Sequence, residues 1–385
     1  MIPGSPQTTA LILATLETKA EEVDYLIDRL REHGVVAITV DVSLKCRGTT
    51  LGGVAKAAAM TQAAENALAA VTAAMDQGVN AVVGLGGGTG AETIIKVLRA
   101  MPITFPKVLV TTLPFDPRYA LADNSITLVP TLADLCGLNA TLREVLENAA
   151  AMTAGLCRTR RRANACVHAP SIGMSAMGVT DGAIDPLVER LREAGEEVTV
   201  FHANGFGGAA FSRFARRGAF HTIIDVTPHE LTRMHIAGAH VAMPDRYTAA
   251  PAVPRIMLPG ALNFIGLGQK ALVPQRYLAR PHYEHSGYFT HVQVTSDEMD
   301  AVAQHLAAAL NACTGERTLI VPMGGFSKHD CPGGAIESPA LREVFLDRIR
   351  AQLSADVRLT VLDAHLFDAA VTAEILASLK GYATA

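Results

Sequence analysis

Apolar positions along the chain form short continuous runs that alternate with segments of helical periodicity. The runs "TTALILAT" and "VVAITVD", which ends at Asp41, are apolar throughout and predict buried strands. Between them, "AEEVDYLIDRLREHG" places Val23, Leu26 and Leu30 on one face of a helix. Continuous apolar strands that alternate with helices predict parallel βαβ units, with helices on both faces of the sheet.

The same alternation continues along the chain with one interruption. The strand "VNAVVGL" is followed by the helix "AETIIKVLRA" and the strand "KVLVTT". The basic segment "CRTRRRANACVHAP" breaks this order, which resumes with the strand "SIGMSA" and the helix "DPLVERLREAG". We therefore predict two doubly wound, Rossmann-like α/β domains with mainly parallel sheets, at residues 1–168 and 169–385, with a cleft between them.

Composition narrows the range of partners. The formal net charge of −4 gives no reason to expect nucleic acid or an anionic membrane as a partner. No apolar stretch reaches the roughly 18 residues of a membrane span, and the first residues lack the features of a signal peptide. The six cysteines form no CxxC pair, so neither a zinc site nor a disulfide framework is predicted. We expect a cytoplasmic protein that acts on a small molecule.

The stretch "GGGTG", residues 86–90 and hereafter the first glycine loop, follows an apolar strand and begins a helix. At such a position backbone amides point outward and the helix dipole favours an anion. Ligands of open α/β sheets bind at the carboxyl ends of strands. We interpret the loop as a phosphate site, with a plain tight turn as the alternative. Its residues are Gly86, Gly87, Gly88, Thr89 and Gly90.

The first glycine loop does not by itself identify a nucleotide. No lysine follows it, so the P-loop pattern is absent, while Gly86, Gly88 and Ala91 fit a GxGxxA variant. An acidic residue that would bind the ribose of NAD about 20 residues later is missing, because "KVLVTT" occupies that place. NAD is therefore disfavoured.

A second glycine loop, residues 204–208 ("NGFGG"), also follows a strand and begins a helix. Its Asn204, Gly205, Gly207 and Gly208 are a second candidate for phosphate binding. Two such loops from two domains would face one cleft if both domains closed on the same ligand.

Five further polar residues lie at the ends of predicted strands. Thr18 and Lys19 in "TKAE" belong either to a helix capping box or to a phosphate contact. Asp41, which ends the second strand, is a further candidate for ligand binding. The stretch "TPHE" is typical of a capping box, with proline at its favoured position. Asp225 and Glu230 are alternatively ligands of magnesium or of a sugar hydroxyl.

The segment "RPHYEHSGYFTH" contains the densest group of ionisable residues, and its His285 is our candidate for general acid–base catalysis. A metal site built on His282, His285 and His291 is an alternative, although Pro281 and Gly287 argue against a helix there. The loop "GGFSKHD" follows a later strand. Adjacent residues of one loop rarely converge into a Ser–His–Asp triad, and no GxSxG elbow is present.

Together these motifs resemble an uncharacterised family that includes the ATP-binding N-terminal domain of the tomato mosaic virus resistance protein. The resemblance runs from about residue 9 to about residue 370. Its seven motifs are "ETKAEE", "GGGTGAE", "ADLCGLN", "FHANGFGG", "DVTPHE", "PGALNF" and "RPHYEHSG". This chain departs from the family pattern at Asn263, where the family has an aspartate, and at Ser286, where it has an asparagine.

The resemblance implies two Rossmann-like domains, a site for ATP and Mg²⁺ at the glycine loops, and a homodimer. Our functional hypothesis is an enzyme, an ATP-dependent transferase or ligase, that acts on a small metabolite in the cleft between the domains. One alternative is a non-catalytic module in which ATP stabilises a surface for another protein. The other is a metal-dependent lyase or hydrolase that uses the histidines of residues 282–291.

Overall fold

The structure, a computed structural model, describes residues 8–44, 51–163 and 169–383. Their contacts divide the chain into two compact units, within residues 1–167 and 168–385. Each unit is built on an all-parallel sheet whose strands alternate with helices, which confirms the predicted α/β fold class. Among the described residues we find no helix with the length and apolar character of a transmembrane segment.

The first unit has a five-stranded sheet with the order β2-β1-β3-β4-β5. Its strands are β1 (Thr9–Ala14), β2 (Val36–Asp41), β3 (Ala81–Leu85), β4 (Lys107–Thr111) and β5 (Ile126–Pro130). Its helices are α1 (Leu16–Glu32), α2 (Gly53–Asp76), α3 (Gly88–Ala100), α4 (Pro117–Leu121) and α5 (Ala140–Ala163).

Helices cover both faces of this sheet. Alternate residues of β1 point to opposite sides, so Ile12 packs with α1 and α5, whereas Leu11 and Leu13 pack with α2 and α3. Strands β1 and β3 are neighbours, yet the helices that follow them lie on opposite faces. The point between these strands is therefore a topological switch point, where ligands of open α/β sheets bind. The first glycine loop joins β3 to α3 and lies at this point.

The second unit has a six-stranded parallel sheet with the order β14-β13-β9-β8-β6-β7, and a smaller antiparallel sheet with the order β10-β12-β11. The parallel strands are β6 (Ser171–Ala176), β7 (Val198–His202), β8 (Phe220–Asp225), β9 (Arg255–Met257), β13 (Arg317–Pro322) and β14 (Arg358–Leu362). The antiparallel strands are β10 (Phe264–Leu267), β11 (His282–Ser286) and β12 (Phe289–Gln293). The helices are α6 (Asp181–Glu193), α7 (Gly207–Arg216), α8 (Glu230–His235), α9 (Gln275–Leu278), α10 (Ser296–Asn311), α11 (Pro339–Gln352) and α12 (Ala369–Ala383).

Counted from its own first strand, the second parallel sheet repeats the strand order of the first and adds a sixth strand. Helices α6 and α12 cover one face, and α10 and α11 cover the other. Its switch point lies between β6 and β8, where the hydroxyls of Thr180 and Thr227 are hydrogen-bonded at 2.8 Å. The second glycine loop follows β7, the second strand, whereas the first follows β3, the third. The two loops are therefore not topologically equivalent.

Candidate functional site

The first glycine loop leaves the start of α3 uncapped. Gly87 precedes the helix, and no side chain of the described residues caps it. Since the first intrahelical bond runs from the amide of Ala91 to the carbonyl of Gly87, the unpaired amides belong to Gly88, Thr89 and Gly90. A Cβ atom at Gly87 or Gly88 would meet no atom closer than 3.9 Å. The loop therefore presents donors beside open space.

Two other glycines of this loop are closely packed, and at Gly86 the packing requires glycine. A Cβ atom at Gly86 would lie 2.8 Å from the backbone nitrogen of Ala91, so only glycine permits this strand-to-helix turn. A Cβ atom at Gly90 would lie 3.2 Å from the methyl group of Thr15, after β1. Gly86 and Gly90 shape the loop, and Gly87 and Gly88 keep its outer side open.

The loops that follow β4 and β5, at the same edge of the sheet, contain strained backbone. Leu113 has a φ of 53° and Leu132 a φ of 60°, values that are uncommon outside glycine. The Leu132 side chain is 86% exposed. Thr111, at the end of β4, is buried and its hydroxyl has no partner among the described residues. Strain of this kind is concentrated at functional sites.

Asp41 is bound to backbone and side-chain groups of its own unit. Its Oδ1 accepts hydrogen bonds from the amides of Leu16, at 3.1 Å, and Ser43, at 2.9 Å. The hydroxyl of Ser43 also donates to Asp41, at 2.5 Å. This carboxylate caps the positive end of α1, where a negative charge is stabilising. Binding of a ligand by Asp41 stays a prediction.

Thr18 and Lys19 lie at the start of α1, which is kinked at Lys19 (φ −129°, ψ 23°). The N-cap of α1 is Thr15 and Thr18 lies inside the helix, so of the two interpretations of "TKAE" the capping box is not formed. The Thr18 hydroxyl lies 3.3 Å from that of Thr15. The ammonium of Lys19 donates to the carbonyl of Leu135, in the loop after β5. This bond uses one of its three donors. Its contact with a phosphate stays a prediction.

The second glycine loop is closed by the protein itself. Glu230 Oε1 accepts hydrogen bonds from the amides of Gly208, at 2.8 Å, and Gly205, at 3.3 Å. Asn204 Oδ1 accepts from the amide of Gly207, at 3.2 Å. Contrary to the sequence-based prediction, these amides are therefore not free to bind a phosphate.

Glu230 and Asp225 form a buried ion-pair network with Arg246. Its Nε donates to Glu230 Oε2 at 2.6 Å, and its Nη1 donates to Asp225 Oδ2 at 2.7 Å. Burial alone would lower the pKa of Arg246, but the two carboxylates raise it above its usual range. Because both carboxylates are occupied, they are not free to bind magnesium or a sugar. The predicted capping box at "TPHE" is also wrong, since the Glu230 side chain is held by these partners.

The predicted histidine segment forms the hairpin of β11 and β12. Tyr283 and His291 pair across it, with Tyr283 Oη 2.6 Å from His291 Nδ1. The exposed His285 stacks on His291 with ring centroids 4.7 Å apart. His282 alternates to the other face, and its Nδ1 lies 2.8 Å from the carbonyl oxygen of Arg280. Within the part of the chain that the structure describes, no group of three metal-ligating side chains is found.

A row of aromatic rings in contact leads from this hairpin to His229, which the sequence did not indicate as a candidate. Phe264 lies between His291, at 4.2 Å, and His229, at 4.6 Å between ring centroids. Burial lowers the pKa of His291 to about 3 and that of His229 well below its usual value. Nδ1 of His229 donates to the carbonyl of Ala261 at 2.8 Å, so Nε2 is an acceptor. No described residue pairs with this buried nitrogen.

The loop after β13 does not form a Ser–His–Asp triad. Its buried Asp330 accepts a hydrogen bond from Nη1 of Arg342 at 2.6 Å. Burial raises the pKa of Asp330, and its hydrogen bonds and Arg342 oppose that rise. The ring of His329 instead lies beside Tyr283, with centroids 4.0 Å apart. These contacts make Asp330 a structural residue.

A cavity of about 510 Å³ lies away from these groups. Leu191, Thr222 and Tyr382 are among its lining residues, which place it between α6 and α12 at the amino-terminal edge of the second parallel sheet. Ligands of parallel sheets bind at the opposite edge. We therefore assign no function to this cavity.

Comparison with known proteins finds the same family for both units. The N- and C-terminal domains of "Uncharacterised protein family (UPF0261)" match residues 8–162 and 169–383. A UPF0261 protein of Rhizobium meliloti is 31% identical over 93% of this chain and 94% of its own length. A UPF0261 protein of Mesorhizobium japonicum is 30% identical over 93% of this chain and 95% of its own length. The ToMV resistance protein Tm-1(GCR237) of Solanum lycopersicum is 28% identical over 76% of this chain and 40% of its own length.

Proposed function

The chain belongs to the UPF0261 family, and we propose that its first unit binds the phosphates of a nucleotide, ATP, at the first glycine loop. The observation that carries this proposal is the uncapped start of α3 at the switch point. The amides of Gly88, Thr89 and Gly90 have no partner among the described residues, and a Cβ atom at Gly87 or Gly88 would meet no atom closer than 3.9 Å. Amides and helix dipole together stabilise an anion at such a place.

The second glycine loop supports this proposal by contrast. There the amides of Gly205 and Gly208 are satisfied by an anion, the carboxylate of Glu230. In the first glycine loop, no side chain of the described residues takes that position. An anion from solution would supply what Glu230 supplies in the second unit. A phosphate fits best, because it offers several acceptor oxygens to neighbouring amides.

The choice of ATP and the presence of Mg²⁺ rest on the motif resemblance. Asp41, Asp225 and Glu230 are bonded to protein groups, so none of them is a free magnesium ligand. Mg²⁺ usually retains several waters and binds substrate phosphates with only one or two carboxylates. We therefore infer that phosphate oxygens and water would supply most of its coordination here.

The proposed activity is that of an ATP-dependent transferase or ligase that acts on a small metabolite. Phosphoryl transfer requires mainly positioning and neutralisation of charge. The first glycine loop would position the phosphates, and Lys19 has two further donors to contribute. His285 is exposed and remains the candidate acid–base residue. If the protein is instead a module that binds ATP without catalysis, ATP would not be consumed when the protein is incubated with metabolites.

Calorimetric titration of ATP and magnesium into the metal-free protein tests the binding site. We expect a Kd of about 1–100 µM, with much weaker binding of NAD and inorganic phosphate. Gly88→Val should weaken ATP binding by about 100-fold, because its side chain would occupy the open space. Gly268→Val is the matched control, since a Cβ atom there also meets no neighbour within 4 Å. Absence of ATP binding, or equal affinity in Gly88→Val, would refute the proposal.

A further inference from the structure

Arg233, in α8, is a buried cation that makes no ion pair with a carboxylate of the described residues. It is 6% exposed, and its Nη1 donates to the carbonyl of Ala239 at 3.2 Å. Its Nε has no hydrogen-bond partner among the described residues. Removing a charge from water costs several kcal/mol, so buried charges are normally paired. Arg246 in the same unit shows the usual arrangement, with two carboxylates on one guanidinium.

Glu230 balances the charge of Arg233 only in part, because the two side chains do not form an ion pair. Its charge favours the cationic form of Arg233, but its oxygens bond to Arg246 and to the second glycine loop. Burial lowers the pKa of Arg233 to about 10, which still leaves the guanidinium charged at neutral pH. The charge of Arg233 is thus partly balanced, whereas its hydrogen-bonding capacity is not fully used.

Three glycines hold this guanidinium in place. A Cβ atom at Gly266 would lie 2.5 Å from Nη2 of Arg233, one at Gly205 2.9 Å from Cδ, and one at Gly238 3.1 Å from Cγ. Glycine allows the backbone to approach the side chain this closely. The Arg233 side chain is therefore fixed in one position, as a preorganised binding group requires.

His229 adds an acceptor beside this donor. Its Nε2 would lie 3.2 Å from the same Cβ position at Gly266, so Nε2 and the Arg233 guanidinium are neighbours. Because Nδ1 of His229 donates to Ala261, Nε2 can only accept a hydrogen bond, and no described residue provides one. The Arg233 guanidinium and Nε2 of His229 together match a ligand that has a negative charge and, next to it, a hydrogen-bond donor. A carboxylate satisfies the guanidinium, and a hydroxyl on the neighbouring carbon satisfies the imidazole.

We propose that Arg233 and His229 bind a small hydroxycarboxylate, with its carboxylate on Arg233 and its hydroxyl donating to Nε2 of His229. This site lies in the second unit and stands independently of the ATP site proposed in the first. It gives the protein a second class of ligand, defined by one negative charge and one adjacent hydroxyl group.

Titration of glycolate, with acetate and inorganic phosphate as comparison ligands, tests this site in the full chain. We expect glycolate to bind about tenfold more tightly than acetate, which lacks the hydroxyl. Binding of glycolate should fall at least about tenfold in Arg233→Met and in Gly266→Ala, whose methyl group would displace the guanidinium. Gly268→Ala is the control for Gly266→Ala and should bind normally. Gly88→Val should also bind glycolate normally, even if it loses ATP.

Five results would overturn the proposal. Four of them are absence of glycolate binding by the wild type, unchanged binding in Gly266→Ala, equal affinities for glycolate and acetate, and tighter binding of phosphate than of glycolate. Loss of glycolate binding in Gly88→Val would also contradict it, because the ligand would then be located at the first glycine loop. Circular dichroism establishes whether Arg233→Met is folded. If Arg233→Met does not fold, Gly266→Ala and the comparison of glycolate with acetate still test the proposal.

Discussion

The two glycine loops look alike in sequence, but they differ in whether a side chain of the protein accepts hydrogen bonds from their amides. In the first, the amides of Gly88 to Gly90 have no partner within the described part of the chain, and the space beside Gly87 and Gly88 is open. In the second, Glu230 bonds to the amides of Gly205 and Gly208, and a Cβ atom at Gly208 would collide with that carboxylate. A run of glycines after a strand therefore identifies a backbone that can surround an anion. It does not identify whether the anion is a ligand or a side chain.

Topology explains how the second unit supplies its own anion. Its glycine loop follows the second strand, β7, while the helix that follows the third strand, α8, begins with Glu230. In the first unit the loop after the third strand is itself the glycine loop. The segment that follows the third strand thus provides hydrogen-bond donors, the loop amides, in the first unit. In the second unit it provides a hydrogen-bond acceptor, the carboxylate of Glu230. We expect the stability of the second loop to depend on charge pairs, and that of the first to depend much less on them.

The largest expected effect is on the ion-pair network of the second loop. Arg246→Met would leave Asp225 and Glu230 buried without their cation, and should lower the free energy of unfolding by about 3–5 kcal/mol. Urea denaturation measures this change. Arg216→Met, which removes the partly exposed pair with Asp245, is the control and should cost less than about 1 kcal/mol. A loss as small as that of the control would show that the network does not hold the second loop.

A pair of alanine substitutions compares the loops directly. Gly208→Ala places a methyl group against Glu230 and Arg246, and should lower the free energy of unfolding by about 2–3 kcal/mol. Gly87→Ala meets nothing closer than 3.9 Å and should change it by less than about 1 kcal/mol. Thermal unfolding of both variants provides the test. Equal losses would mean that the first loop is as tightly closed as the second.

Acid should destabilise the second unit through its buried histidines. Burial lowers the pKa of His291 to about 3, whereas an unfolded histidine has a pKa near 6.5. Between these values the unfolded chain binds one proton more, so stability is intact above about pH 6.5 and falls as the pH decreases towards 3. Lowering the pH from 7 to 5 should cost about 1–2 kcal/mol through His291.

His291→Gln tests this response, since glutamine keeps a hydrogen-bonding partner for Tyr283 but does not titrate. Its unfolding free energy should fall less between pH 7 and pH 5 than that of the wild type. The exposed His221→Gln serves as the control and should follow the wild type. The same pH dependence in His291→Gln and the wild type would contradict the assigned role of His291.

The smallest expected effect concerns Asp41, next to the first switch point. Asp41→Asn keeps the acceptor for Leu16 but loses the negative charge at the start of α1, so it should cost about 0.3–1 kcal/mol. ATP affinity should stay within about twofold if Asp41 only caps the helix. A tenfold loss of ATP affinity at unchanged stability would instead make Asp41 a nucleotide-binding residue.

Sequence reasoning succeeded where the fold depends on local periodicity. Apolar runs such as "VNAVVGL" are buried on both faces and are therefore recognisable as central parallel strands. The antiparallel sheet was not predicted, because β11 consists mainly of polar residues and has Pro281 before it and Gly287 after it. The contact between Glu230 and the second glycine loop was not predicted either. Glu230 reaches Gly208 only through the tertiary fold, and its position in "TPHE" suggested a local cap instead.

The carboxylate of Glu230 has a consequence for how each unit responds to its surroundings. An anion that is part of the chain has a fixed effective concentration, so the second glycine loop is occupied whatever the composition of the medium. An anion that must come from solution occupies its site according to mass action and stabilises the folded state by RT ln(1 + [L]/Kd). If the first glycine loop binds the proposed anion, the resistance of the first unit to heat and proteases should follow the concentration of that anion, while the second glycine loop should not respond to it.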